Sequence, residues 1–236
     1  MNRKKQIKEG RLAPSHEKVD IEVEIHGESF VPLQGNKDQG HGRDENPVVY
    51  MDISTKGGRR DKKTGTVSQP RKLGRLHFEL RMDLCPMTCN NFMSILNNNG
   101  FSTHDGIEYS YKNTEIHRIV KNRIFEGGDL LGKKGECSRS IYNNGGLFVD
   151  ENFIFRHAGP GCLSMCNRGP NTNGSLFQVT FTKQETFDEK YVVFGCCASE
   201  ESFTTLEIIN TFGSPGGQPL EELYISETGQ SYPIQH

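Results

Sequence analysis

The chain has 236 residues, a formal net charge of −2, 33% apolar residues and 26 glycines. That is enough for one sizeable domain with appendages. The near-neutral charge gives no global pull toward nucleic acid or an anionic surface, and no apolar run reaches the roughly 18 residues a membrane helix needs.

The first residues, "MNRKKQIKEGRLAPSHEK", are basic but lack the apolar stretch of a secretory signal, so an intracellular location, cytoplasmic or nuclear, is expected. Seven cysteines are then expected as free thiols in a reducing compartment. Cys85 and Cys89, like Cys162 and Cys166, stand four apart, yet no companion His or Cys completes a zinc set. No metal and no cofactor are expected, and small buried core residues are the simpler reading.

Residues 1–46 are polar and mostly aperiodic, a composition that buries too little apolar surface to offset chain entropy. One island differs. Val19, Ile21, Val23 and Ile25 alternate with Asp20, Glu22, Glu24 and His26. Period two predicts a half-buried strand over 19–26, packed on the domain or paired with a partner's sheet edge.

From Pro47 the pattern is globular. "VVYMDIS" and "LGRLHFELRMD" read as strands, and the insertion at 55–72 between them carries seven Lys and Arg against one Asp. It is a solvated loop or a contact for phosphate or an acidic partner. It contains no aromatic residue, which counts against base stacking and a nucleic-acid role.

"CPMTCNNFMSILNN" predicts a helix. Pro86 suits its first turn, and Cys89, Phe92, Met93 and Leu96 make one apolar face. "SFTTLEIINTFG" predicts a second, with Phe203, Leu206 and Ile209 as its stripe and Gly213 as its C-terminal cap. Short strands are expected around "IHRIV", "GCLSMC", "LFQVTF", "YVVFGCC" and "ELYISETG". Many short strands with two lone helices predict a mainly β fold, a closed antiparallel barrel capped by two α-helices. The N-terminal extension would end at 46, the domain would span 47–230, and 231–236 would form a tail.

The blocks "IHRIVKNRIFEGGDLL", "IYNNGGLFVDENF", "RHAGPGCLSMCNRGPNTNGSLFQVTF", "KYVVFGC" and "FGSPGGQP" occur in that order. Together they resemble the cyclophilin family over about residues 47–230. The resemblance implies an eight-stranded closed barrel and peptidyl-prolyl cis-trans isomerase activity, with the Gly- and Asn-rich stretch as the rim along which a proline-containing peptide lies. It also implies cyclosporin as a ligand of the groove.

The chemistry asked of such a groove is physical rather than covalent. Rotation about an X-Pro bond loses amide resonance, a barrier of roughly 18–20 kcal/mol. A cationic donor aimed at the prolyl nitrogen favours the twisted state, which is differential transition-state binding. By resemblance, Arg118 takes the catalytic arginine's position, Asn167 that of a backbone-gripping asparagine, and Ile124 and Phe187 those of apolar walls. His117 and Cys166, beside them in the same motifs, complete the candidate groove with the positions that depart from the family pattern.

Those departures are several. Arg123 and Gln178 stand where the resemblance places slot aromatics, Glu126 and Leu176 where it places glutamines, Arg168 for an alanine, Thr186 for a tryptophan and Tyr191 for a histidine. Burying a proline against aromatics is worth about 1–2 kcal/mol, and polar replacements resist desolvation. An ionised Glu126 is expected to pair with Arg118. Three readings follow: a peptide-binding scaffold with weak or lost turnover, an active isomerase with altered preference, and a nucleic-acid-associated protein using residues 55–72. The expected partners are proline-containing segments, acidic or phosphorylated ones among them, with 19–26 and 55–72 as further contacts. A monomer with no membrane association and little affinity for cyclosporin is expected.

Overall fold

The computed structural model describes residues 46–58, 60, 63–98, 108–132 and 134–232. The strand expected at 19–26 and the rest of the extension before Asn46 lie outside the described residues. Among the described residues, eight strands form one antiparallel sheet: β1 (Val48–Thr55), β2 (Arg71–Leu80), β3 (Arg118–Val120), β4 (Ile124–Gly127), β5 (Cys162–Met165), β6 (Phe177–Thr180), β7 (Val193–Cys197) and β8 (Leu223–Tyr232). Two α-helices among the described residues, α1 (Pro86–Leu96) and α2 (Glu200–Asn210), accompany it. The strand β8 continues two residues past the boundary expected at 230.

The sheet order is β3-β4-β6-β5-β7-β2-β1-β8, which makes a half-barrel and corrects the expectation of a closed one. The reason lies at the edges. The three-residue β3 gives its outer edge to the loop after α2: Ile119 N–H donates to Gly217 O at 2.9 Å, and Ser214 N–H donates to Ile119 O at 3.1 Å. The β8 edge meets residues 113–116 instead, with Ile116 N–H on Leu223 O at 2.9 Å and Ile225 N–H on Thr114 O at 3.0 Å. Loop backbone thus pairs with the outer edge of β3 and with Leu223 and Ile225 at the start of β8, whose groups would otherwise be left unpaired, and no β3–β8 ladder forms among the described residues.

Aromatic rings hold the interior. Phe92 of α1 stacks against Tyr111, Phe177 and Phe194 with centroids 5.1, 5.5 and 5.1 Å away. All four rings are fully buried, and each contributes roughly the 1.5–3 kcal/mol of a large buried apolar side chain. The apolar face read from the sequence is the buried one, since Cys89, Phe92 and Leu96 point into this core. In α2, Leu206 and Ile209 are buried and Phe203 packs at the margin.

Gly213 does not act as a left-handed cap. Its φ is not in the positive region, and a Cβ there would come within 2.9 Å of Lys121 Cα. The position is small because β3 and the loop after α2 approach closely, which is a packing demand rather than a turn demand.

Of the seven basic residues at 55–72, Lys72 bridges the buried Asp52 at 2.7 Å, alongside Arg75 at 2.6 Å, and Lys56 pairs with Glu222. Burial pushes the Asp52 carboxyl up, but its hydrogen bonds to Arg75 and Lys72 outweigh that and hold it below the usual carboxylate range. Burial also pushes the Cys85 and Cys196 thiols up to about 12, which suits inert core residues.

The N-terminus of α1 has no cap of its own, since the side chain of Cys85 makes no capping bond. Glu151, distant in sequence, supplies it: Oε1 accepts from Met87 N–H at 2.9 Å, and Oε2 accepts from Thr88 N–H at 2.8 Å and the Thr88 hydroxyl at 2.7 Å. Two of the helix's orphan donors are thereby satisfied by a carboxylate at the positive end of the dipole. Glu151→Ala is expected to cost about 1–2 kcal/mol, as loss of a cap does, and to lower Tm by a few degrees in a melting curve. Glu151→Gln, which keeps one acceptor oxygen, is expected to lose less.

Candidate functional site

Adjacent strands bring the central pair together. Arg118 on β3 lies directly opposite Glu126 on β4, because the turn at 121–123 sets that register. Arg118 Nη1 donates to Glu126 Oε1 at 2.5 Å. The Arg118 side chain is half exposed and Glu126 largely covered, so the guanidinium sits at a wall with one donor directed into the protein. Beneath it, a Cβ on Gly217 would come within 2.9 Å of Arg118 Nε, and Gly217 has a φ of 85°. Glycine there meets both the backbone demand and the close approach.

His117 is nearly buried, with Nε2 3.8 Å from Glu126 Oε2, beyond hydrogen-bonding length. Burial pushes the Glu126 carboxyl up, but the neighbouring His117 and the charge and hydrogen bond of Arg118 outweigh it and leave it below the usual range. Glu126 is therefore a carboxylate at neutral pH, an acceptor only.

These residues line a cavity of about 420 Å³ together with Cys166, Asn167, Arg168, Leu176, Gln178 and Tyr191. The rim is held by its own polar groups. Asn173 Nδ2 donates to Asp150 Oδ1 at 2.7 Å, Asn171 N–H donates to Asp150 Oδ2 at 2.8 Å, and Asp150 N–H donates to Asn171 Oδ1 at 2.9 Å. Asn91 of α1 donates to Gly174 O at 2.7 Å and ties this rim to the core. The Gly- and Asn-rich stretch is thus ordered by side-chain to backbone bonds. Asn167 uses its own amide on Lys190 O at 2.9 Å. Arg168 donates to Gly135 O and Glu136 O at 3.3 and 3.2 Å, so it tethers a neighbouring loop with neutral acceptors and keeps its full charge. Burial pushes the Cys166 thiol well above its ordinary value, which argues against a nucleophilic thiolate there.

Four candidates stand outside this lining. Ile124 is buried on the same face of β4 as Glu126, and Thr186 is exposed in the short 3₁₀ turn Glu185–Phe187. Phe187 packs edge-on against Tyr191 at 5.3 Å and His157 at 5.6 Å. Arg123 donates to Gln184 Oε1 at 3.3 Å, and its guanidinium lies 5.7 Å from the centre of the Phe187 ring. Lys134, Gly135, Gly216, Gly217 and Gln218 also line the cavity. The last three lie in "FGSPGGQP", a motif already noted, whereas nothing local distinguished Lys134 and Gly135. Among the described residues no cluster of three or more His, Cys, Asp or Glu could hold a metal ion.

A family model described as cyclophilin type peptidyl-prolyl cis-trans isomerase/CLD matches residues 64–230, from within the loop after β1 to within β8. The chain belongs to this family.

The depressed carboxyl fixes the sign of a pH effect. The Arg118–Glu126 pair contributes stability above the unfolded carboxyl's value, about 4.3, and loses it as pH falls through the lower folded value. Side-chain NMR of Arg118 is expected to show a change as pH falls below the ordinary carboxylate range, where Glu126 takes up its proton. Glu126→Gln is expected to abolish that change.

Proposed function

We propose that this cyclophilin-family domain is a binding or scaffold module for proline-containing segments, with isomerase turnover weak or lost. One observation carries the reading: the 2.5 Å bond that engages Arg118 with Glu126. A guanidinium that must aim at a prolyl nitrogen is here restrained by a carboxylate on the next strand. Glutamine at position 126 could orient it without an opposing charge; glutamate holds it as an ion pair.

The apolar contribution to binding is reduced as well. Gln178 is a polar member of the lining, and Arg123 is engaged elsewhere. Weak affinity for cyclosporin fits the same changes. The lining charges are Arg118, Lys134 and Arg168 against Glu126, an excess of positive charge. A cleft of one sign concentrates ligands of the other, and arginine forks pair with carboxylate and phosphate. Segments with Asp, Glu or a phosphorylated residue beside the proline are therefore the proposed preference.

A coupled isomerisation assay on a panel of X-Pro peptides tests the central claim. Turnover is expected at least about tenfold below an ordinary family member, which corresponds to about 1.4 kcal/mol of transition-state stabilisation. Arg118→Ala is expected to remove the remainder, and Arg123→Phe, Gln178→Phe and Glu126→Gln together to raise it. Turnover equal to an ordinary cyclophilin would leave the active isomerase with altered preference as the correct reading. For charge, matched acidic and basic proline peptides followed by chemical-shift perturbation are expected to favour the acidic one, with affinity falling as salt screens the groove. Equal or stronger binding of the basic peptide would overturn the preference.

A further inference from the structure

A chain of polar groups runs from Asp188, partly exposed in the loop before β7, through the protein to the cavity. Asp188 Oδ1 accepts from His157 N–H at 2.9 Å and lies 3.0 Å from His157 Nδ1. His157 Nε2 lies 2.9 Å from Ser164 Oγ, and Ser164 Oγ lies 3.1 Å from Gln178 Nε2. His157 and Ser164 are fully buried and Gln178 is 2% exposed. Ser164 and Gln178 are direct cross-strand partners on β5 and β6.

The spacing of Ser164, His157 and Asp188 is that of a hydrolase triad, but the serine is inaccessible and its oxygen faces an amide donor. The array orients rather than attacks. Its direction follows from what each group can do. A carboxylate only accepts, so the proton of the imidazole sits on Nδ1, facing Asp188. Burial lowers the His157 pKa more than Asp188 raises it, so the ring is neutral and Nε2 is an acceptor. The Ser164 hydroxyl hydrogen must then point at Nε2. With its one hydrogen committed, Ser164 can only accept from Gln178, so the amide nitrogen is held against Ser164. The carbonyl oxygen Oε1 has no protein partner among the described residues, on a side chain that lines the cavity.

We infer that Gln178 Oε1 is a hydrogen-bond acceptor set in the wall of the cavity, oriented by Asp188, His157 and Ser164, and that the site selects residues carrying a side-chain donor, such as a hydroxylated proline, over residues without one. This rests on the proposal that the groove takes peptide segments. An unpartnered acceptor in a shielded site disfavours an apolar group that would strip its water without replacing the bond. A hydroxyl in the same place restores it.

Isothermal titration with three Ala-Ala-Xaa-Ala peptides decides, with Xaa as proline, 4-hydroxyproline or its O-methyl ether. The ether keeps the ring and the oxygen but has no hydrogen to donate. The hydroxyproline peptide is expected to bind roughly three- to tenfold more tightly than the ether, the range of one net hydrogen bond. Gln178→Leu is expected to erase the difference. Ser164→Ala frees the amide to turn its nitrogen toward the cavity, and the ether is expected to gain on hydroxyproline. Should either variant fold poorly, the hydroxyproline and ether pair on the wild-type chain is sufficient. Equal affinities for that pair, with proline binding intact, overturn this inference alone. Failure of all three peptides to bind overturns the proposed peptide-binding role and this inference with it.

Discussion

The pleat of β6 is the constraint on which the site depends. Phe177 is locked among Phe92, Tyr111 and Phe125, with centroids 5.4–6.4 Å away. Successive side chains of a strand face opposite sides. With Phe177 committed to the core, Gln178 must face the cavity side, and a slip of one residue would place the amide in the aromatic interior and the ring in the cleft. The same pleat brings Gln178 beside both Glu126 of β4 and Ser164 of β5. The core therefore sets the polarity of the groove without touching a ligand.

Around that strand the groups that line the cavity come from pieces that do not share an element. Arg118 and Glu126 arrive on paired strands, and Gly217 comes from the loop that covers the edge of β3. Arg168 and Lys134 come from two loops tied together by Arg168 itself. The half-barrel explains this dependence on loops. Because β3 is too short to ladder with β8, the loop at 214–217 must satisfy its edge, and that loop then forms part of the cavity wall.

The charge arrangement gives the groove two distinct components. Glu126 restrains Arg118 at close range, where geometry and partial burial keep the pair intact. Arg168 is held by carbonyl oxygens, which position it without neutralising it. Geometric restraint at one arginine and a carbonyl-held charge at another are the two features on which the proposed binding role rests.

Both helices, the three long strands and most of the short ones were legible from apolar spacing and from Pro86, because local periodicity and φ restriction act within a few residues. β4 did not stand out as a separate strand, since "IFEGG" is short and ends in glycine, and its identity comes from pairing on both sides. Motif order alone was enough to bring Arg118, Glu126, Asn167 and Gln178 under suspicion. It could not say that Arg123 would turn to Gln184 and Phe187, that Glu151 would cap α1 from a distant loop, or that the sheet would stay open. Those outcomes are contacts between residues far apart in the chain, and no local propensity encodes them. By itself the sequence determined most of the elements, the family and the residue types available to the groove. Tertiary structure alone decided which of those residues meet, because hydrogen-bond direction and burial depend on what the fold brings within about 3 Å.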